Sequence, residues 1–206
     1  MELYETIFDR AESLGLGEER RALVQDLAGD VLEIGCGTGR MFGHYGPGVR
    51  LTAIEPDDSF RALADKRAAE ARCHVRVAAG SAMALPFEDE SFDAVVFSLV
   101  LCSVEDVSRA LEEASRVLRP RGRLRALEHV RSPRPFSGAL MRAADPFWVV
   151  LNGMGCHMSR DAEGALARAG FGIESVERFQ VFAPCLPAFP MRRITATPRA
   201  RSSPRA

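Results

Sequence analysis

The 206-residue sequence lacks an excess of charge of either sign, because 27 lysine and arginine residues face 28 aspartate and glutamate residues, for a formal net charge of −1. A chain without a strong overall field has no long-range attraction for nucleic acid or for an anionic membrane surface. We therefore predict no nucleic-acid partner. Lysine is almost missing, since Lys66 is the single one, and we draw no function from that bias.

Paired cysteine motifs are also missing. The five cysteines are an odd number, and no two of them form a C-x-x-C motif. A disulfide framework is therefore not indicated, and this cysteine usage predicts the reducing cytoplasm. Cys156 and His157 are adjacent, but no second cysteine–histidine pair has the spacing of metal ligands, so the sequence predicts no metal.

Long apolar runs are absent as well. No uninterrupted run approaches the ~20 residues that a membrane-spanning helix needs, and Met1–Glu5 has neither the basic nor the apolar region of a secretory leader. We expect no transmembrane anchor. A chain of 206 residues suffices for one well-buried domain, which we expect over 1–197, with a disordered tail over 198–206.

The most informative stretch is the apolar run that ends in three alternate glycines, Gly35, Gly37 and Gly39. It predicts a buried strand, a tight turn and a helix, with the glycines leaving room for a ligand against the backbone. A dinucleotide fingerprint needs G-x-G-x-x-G, and Arg40 stands where its third glycine would be. A pyrophosphate cradle is therefore disfavoured.

An acidic residue follows the next apolar run. Glu55 ends the predicted second strand, one strand-turn-helix-strand unit after the glycines. A carboxylate at that place can accept hydrogen bonds from both hydroxyls of a ribose. The pattern thus favours a nucleoside ligand over a nucleotide.

Apolar runs alternate with helical patterns along the rest of the chain, which predicts an α/β fold with a mostly parallel sheet. Segment 40–45 is predicted to open a helix directed at the ligand, and the fifth strand is expected to begin at Arg123, after the break at 119–122. The prolines at 184, 187 and 190 precede a last strand that fits an antiparallel position. The predicted strands are 31–34, 49–54, 74–78, 91–97, 123–130, 173–182 and 191–197.

The pattern Glu33-x-Gly35-x-Gly37-x-Gly39 together with Glu55 resembles the class I S-adenosylmethionine-dependent methyltransferases. The resemblance implies a Rossmann-like, doubly wound, seven-stranded sheet whose last strand is antiparallel, and S-adenosylmethionine as cofactor. Members usually carry an acidic residue where this chain has Ser81. The cofactor residues implied are Glu33, Gly35, Cys36, Gly37, Thr38, Gly39, Glu55, Pro56, Ser81, Ala82, Met83 and Leu99.

Later motifs are similar to the methyltransferase-like family that contains the alkyl thiol S-methyltransferases. They are Val-Leu-Cys-Ser-Val at 100–104, Glu-His-Val at 128–130 and Gly-Cys-His-Met-Ser-Arg at 155–160. This resemblance implies direct SN2 methylation of a small apolar acceptor, foremost a thiol. Two alternatives stay open: O- or N-methylation of a phenol, quinol or lipid amine, and a non-catalytic nucleoside-binding module. The membrane anchor of animal members is not expected here.

The acceptor site is predicted around the aromatic and methionine-rich insert at 132–159, although core packing explains its helical pattern about as well. Tyr4 and Phe8, four residues apart on a predicted lid helix, share a face that either closes over the ligand or packs on the sheet. His129 and His157 are the candidate catalytic bases. The predicted pocket residues are Tyr4, Leu101, Cys102, Trp148, Met154 and Cys156.

Overall fold

A computed structural model describes residues 2–152, 155–181 and 189–199. Seven strands form one sheet in the order β3-β2-β1-β4-β5-β7-β6. The first five strands run parallel, and β7 lies antiparallel between β5 and β6. The predicted fold class is confirmed. The strands are β1 Gly29–Ile34, β2 Val49–Ile54, β3 His74–Ala78, β4 Phe92–Ser98, β5 Leu118–His129, β6 Phe171–Val181 and β7 Phe189–Pro198.

Helices cover both faces of the sheet. On one face, α4 and α6 pack with Leu32 and Ile34 of β1; on the other, α2 and α3 pack with Val31. Successive side chains of a strand point to opposite faces, so the apolar run of β1 is buried on both. The helices are α1 Glu2–Ala11, α2 Gly17–Val24, α3 Asp58–Ala68, α4 Val107–Val117, α5 Pro135–Asn152 and α6 Ala162–Arg168.

Within the described ranges, none of these helices has both the length and the apolar character required to cross a lipid bilayer. The longest of them, α5, forms most of the predicted insert and contains Pro146. Its outer side is apolar, with Phe136 83% exposed and Phe147 74% exposed.

The helix predicted at 40–45 is wrong. After the glycines the chain makes turns and a single 3₁₀ turn at Phe42–His44, and β2 then begins at Val49. Fewer than ten residues separate Gly39 from β2, and Gly43 together with Gly46-Pro47-Gly48 interrupts them. The segment is too short and too rich in glycine and proline for a helix and a return to the sheet.

All the predicted strands except β2 and β3 differ from the structure in at least one boundary, and the largest difference is at β5. β5 already begins at Leu118, which pairs with Phe92, and the residues up to Arg123 form an irregular segment in the β4–β5 register. At the other end of the sheet, Pro198 is the last residue of β7 and not the first of a tail. The rest of the predicted tail, from residue 200 onward, lies outside the described residues.

Candidate active site

A cavity of about 540 Å³ opens at the carboxyl ends of the parallel strands. The order of the sheet reverses between β1 and β4, and α/β sheets of this kind bind ligands in the crevice at such a point. All the predicted cofactor residues except Gly39 line this cavity.

The predicted acceptor residues divide into three groups. Cys102, Cys156 and the candidate base His129 line the same cavity as the cofactor residues. Leu101 lines a neighbouring cavity of about 190 Å³, which also touches Cys102 and His129. Trp148 and His157 line neither cavity. Met154 and the side chain of Tyr4 lie outside the described part of the chain.

Gly35, Gly37 and Gly39 all have positive φ angles, of 68°, 54° and 81°. Such angles cost a residue with a Cβ about 1–2 kcal/mol. An added Cβ would also lie 2.8 Å from Val100 at Gly35 and 2.6 Å from Phe42 at Gly39. At these two positions packing inside the protein therefore requires glycine. The sequence analysis had explained the same glycines by the space that a ligand needs.

Glu55 fixes the glycine turn. One carboxylate oxygen accepts a hydrogen bond from the Gly37 N–H at 2.9 Å, and the other accepts from the Asp57 N–H at 3.1 Å. The carboxylate is nearly buried and lines the cavity. Each carboxylate oxygen can accept a second hydrogen bond, so Glu55 keeps acceptor capacity for a bound ligand.

Glu33 is a buried and neutral acid. Its carboxyl group is 1% exposed and accepts a hydrogen bond from the Tyr45 hydroxyl at 3.0 Å. Burial raises the pKa of Glu33 to about 8, although the Tyr45 hydroxyl and the Arg20 charge oppose the shift. At neutral pH, Glu33 is therefore mainly a carboxylic acid that accepts the Tyr45 hydroxyl.

Ion pairs hold the N-terminal helix α1 beside the glycine turn. Arg40 forms ion pairs with Glu5 at 2.6 Å and with Asp9 at 2.7 Å, both on α1. Arg67 joins the same Glu5 to the carbonyl oxygen of Thr38 in the turn. These contacts bring Phe8 of α1 into the cavity lining.

The loop after β4 is held by a buried carboxylate that sequence reasoning did not single out. Glu128 accepts hydrogen bonds from the backbone N–H groups of Val100 and Leu101 at 2.9 Å and of Cys102 at 3.3 Å. Burial raises the pKa of Glu128, and these N–H donors oppose the shift. The available signal was the single acid in a strand whose other charged residues are arginines.

Two thiols and an imidazole meet at the end of the cavity beside this loop. The Cys156 sulfur lies 3.7 Å from the Cys102 sulfur and 3.6 Å from Nε2 of His129. Hydrogen bonding from Cys102 lowers the pKa of Cys156, and His129 adds to the effect. Burial opposes a charge on His129, but contact with Cys156 raises its pKa.

His157, the other candidate base, has a different environment. Its Nδ1 lies 2.9 Å from a carboxylate oxygen of Asp145 on α5. Asp145 also accepts hydrogen bonds from the backbone of Met158 and Ser159. The backbone N–H of His157 donates to the Cys102 carbonyl oxygen at 2.8 Å, so this segment connects the insert to the loop after β4.

A doubly wound sheet with a glycine turn, an acidic residue after β2 and a cavity at the strand reversal defines a class I S-adenosylmethionine-dependent methyltransferase. Comparison with known proteins agrees, because residues 32–126 match a family model described as a methyltransferase domain.

The chain is 39% identical over 168 residues to thiol S-methyltransferase TMT1A of Homo sapiens, covering 76% of this chain and 68% of the human protein. It is 40% identical over 110 residues to the ubiquinone/menaquinone biosynthesis C-methyltransferase UbiE of Paracoccus denitrificans (strain Pd 1222), covering 51% of this chain and 44% of that protein. A solved S-adenosylmethionine-dependent methyltransferase of Thermotoga maritima matches with a TM-score of 0.71 at 26% identity, covering 96% of each chain.

The chain thus belongs to the methyltransferase family that contains the thiol S-methyltransferases, and its cofactor is S-adenosylmethionine. It spans about two thirds of the length of those curated relatives, from 62% to 68%.

Proposed function

We propose that this protein transfers the methyl group of S-adenosylmethionine to the sulfur of a small, largely apolar thiol. The observation that carries the proposal is one continuous cavity that joins the predicted cofactor residues to Cys102, His129 and Cys156. The identity to a thiol S-methyltransferase over most of this chain supports a sulfur acceptor.

The cofactor is assigned to the glycine end of the cavity. Glu55, already fixed by the Gly37 and Asp57 N–H groups, would accept the ribose hydroxyls with its remaining lone pairs. The backbone of the glycine turn would hold the amino-acid end. Ala82 and Met83 would carry the adenine through backbone contact and apolar packing, since Ser81 brings no charge and its hydroxyl already accepts the Met83 N–H.

The acceptor is assigned to the other end, between the loop after β4 and the insert. Leu99, Val100 and the two cysteines give this end an apolar lining. Of the two candidate bases, His129 lines the cavity and is the group we place beside the acceptor. His157 is assigned to anchoring the insert through Asp145.

The reaction would be an in-line displacement at the sulfonium methyl. Charge is dispersed in its transition state, so alignment of the two reactants and exclusion of water supply most of the acceleration. A thiol of pKa ~8.5 is only partly ionised near neutrality, and its proton must leave before or during attack. The cofactor departs as S-adenosylhomocysteine with the electron pair of the broken bond.

The test is a competition of thiols, phenols, quinols and amines for labelled S-adenosylmethionine, with products identified by mass spectrometry. We expect methyl thioethers to dominate. Gly37→Val serves as the matched inactive variant, because product formed by it would come from a contaminant. Dominant methylated oxygen, nitrogen or carbon products, with thiols unchanged, would overturn the thiol assignment and leave the methyltransferase class intact.

A C-methyltransferase relative makes the quinol arm of this competition necessary. The match to UbiE covers 51% of this chain, and UbiE is a C-methyltransferase of ubiquinone and menaquinone biosynthesis. We also propose a cytoplasmic location, because the four cysteines in the described part of the chain, Cys36, Cys73, Cys102 and Cys156, are free thiols.

A further inference from the structure

Three side chains that can bind a metal ion, two cysteines and a histidine, come from distant parts of the chain and meet at the acceptor end of the cavity. Cys102 comes from the loop after β4, His129 from the end of β5 and Cys156 from the segment after α5, and their ligand atoms all lie within 4.8 Å of one another. They are separated by 27 and by a further 27 residues, so no ligand spacing shows in the sequence.

Two of the three distances between the ligand atoms agree with a metal ion bound among them, and the third, between the Cys102 sulfur and the His129 imidazole, lies within 4.8 Å. In a tetrahedral zinc site with Zn–S bonds of about 2.3 Å and Zn–N bonds of about 2.0–2.1 Å, two sulfurs lie about 3.8 Å apart and a sulfur and a nitrogen about 3.5 Å apart. Here the two sulfurs are 3.7 Å apart, and the Cys156 sulfur is 3.6 Å from Nε2 and 3.8 Å from Nδ1 of His129, so the imidazole must rotate to direct one nitrogen at a metal ion bound by that sulfur. A disulfide would require about 2.05 Å.

We propose that Cys102, His129 and Cys156 form a zinc site whose open fourth position receives the acceptor thiol. Two thiolates and one imidazole are ligands that suit zinc, and three protein ligands with one open position are typical of catalytic zinc. The expectation that the chain binds no metal rested on neighbouring residues and is revised by residues that only the fold brings together.

The surroundings hold the ligands in place. Glu128 accepts a hydrogen bond from the Cys102 backbone N–H, and the backbone N–H of His157 donates to the Cys102 carbonyl oxygen. The second bond joins the two segments that carry the sulfurs. The Ser103 hydroxyl lies 3.4 Å from the Cys102 sulfur, within reach to hydrogen-bond a bound thiolate. All three ligands line the cavity, so the open position faces the acceptor.

The role of the metal rests on the proposed thiol methylation. An acceptor thiol would bind at the open position and release its proton to solvent. Its sulfur would then form a bond to the sulfonium methyl carbon, while the bond from that carbon to the cofactor sulfur breaks and leaves its electron pair on S-adenosylhomocysteine. The neutral thioether is a weaker ligand than a thiolate and dissociates. His129 would thus act as a ligand in place of a base.

The test titrates the chelator-treated, reduced full chain with Co²⁺ and follows the thiolate-to-cobalt charge-transfer band. We expect one equivalent to bind, Zn²⁺ to displace it, and an added alkyl thiol to shift the band. Cys102→Ser, His129→Ala and Cys156→Ser should each weaken binding at least about 100-fold, more than losing an outer hydrogen bond to a ligand costs. Cys73→Ser is the matched control, because Cys73 lines neither cavity, and it should bind normally.

Binding of S-adenosylhomocysteine, measured by calorimetry, shows that each variant is folded. Absence of the band in the wild type, or equal Co²⁺ affinity in the three ligand variants and the control, would overturn the site. Undiminished thiol methylation by the metal-free enzyme would overturn its role and leave the proposed function standing. Co²⁺ bound by the three residues without thiol methylation would support the site and refute the proposed acceptor.

Discussion

The state of Glu33 makes a prediction about stability that can be worked through in numbers. The native pKa of Glu33 is about 8, against 4.5 for an unperturbed glutamate. Between these values the unfolded chain has lost the proton and the native chain keeps it, so the native state binds more protons. Stability must therefore fall as pH rises through this window, by roughly 5 kcal/mol in all at ~1.4 kcal/mol per pKa unit.

Replacing Glu33 with glutamine removes this dependence. The amide carbonyl can accept the Tyr45 hydroxyl as the acid does. We expect the free energy of unfolding of Glu33→Gln to be close to that of the wild type near pH 5, and its advantage over the wild type to grow with pH up to about pH 8. Cofactor affinity at pH 7 should change little, because a neutral group replaces a neutral group.

Urea denaturation of both proteins at several pH values between 5 and 8 measures the difference. Glu113→Gln is the matched control, because Arg116 first and then the Leu85 N–H hold the pKa of Glu113 at about 2, against the opposition of partial burial. Glu113 is ionised in both states over this range, so its mutant should show a constant loss. A pH-independent difference for Glu33→Gln, or a loss that grows with pH, would refute a neutral Glu33.

Three further predictions concern cofactor and loop. Glu55→Ala should weaken S-adenosylmethionine and S-adenosylhomocysteine by roughly 1.5–3 kcal/mol, the value of a hydrogen bond to a charged group; equal calorimetric affinities would discard the ribose assignment. Gly37→Val should abolish cofactor binding in a chain that circular dichroism shows to be folded, because a branched residue resists φ of 54° and occupies ligand space; retained binding would make the turn purely structural. Glu128→Gln should lower the free energy of unfolding by about 1–3 kcal/mol, because its amide N–H₂ would face the Cys102 N–H, and it should lower kcat/KM. An unchanged melting temperature would show that Glu128 does not hold the loop after β4.

Strands β1, β2 and β4 were readable from the sequence because each is a short, mostly apolar run with a clear end. The glycine turn and Glu55 were readable because they follow two apolar runs that pair as neighbouring parallel strands, although the helix expected between those strands does not form. The structure of the segment after Gly39 could not be predicted correctly, because the glycines and the proline that were expected to end a helix there instead prevent a helix from forming. Residues 119–122 were misread for a related reason: a proline that ends a helix also fits an irregular strand edge.

The site was only half predictable. Motif reasoning found most of the residues at the cofactor end of the cavity but not the internal packing that requires glycine at two of the motif positions, where an added Cβ would meet Val100 at Gly35 and Phe42 at Gly39. Glu128 was overlooked because its partners are backbone N–H groups 26 to 28 residues away, and a backbone donor leaves no trace in residue type. Cys102 and Cys156 could not be paired before the fold brought them together.

Arg40 has a consequence for the kinetics of cofactor exchange. This residue stands in place of a dinucleotide glycine, and its ion pairs to Glu5 and Asp9 fasten α1 beside the cavity. If Phe8 must withdraw before S-adenosylhomocysteine leaves, these pairs break in each catalytic cycle. Because ions in solution screen such partly exposed pairs, product release should accelerate with ionic strength while the methyl-transfer step does not, and turnover limited by release would rise with salt until α1 no longer retains the cofactor.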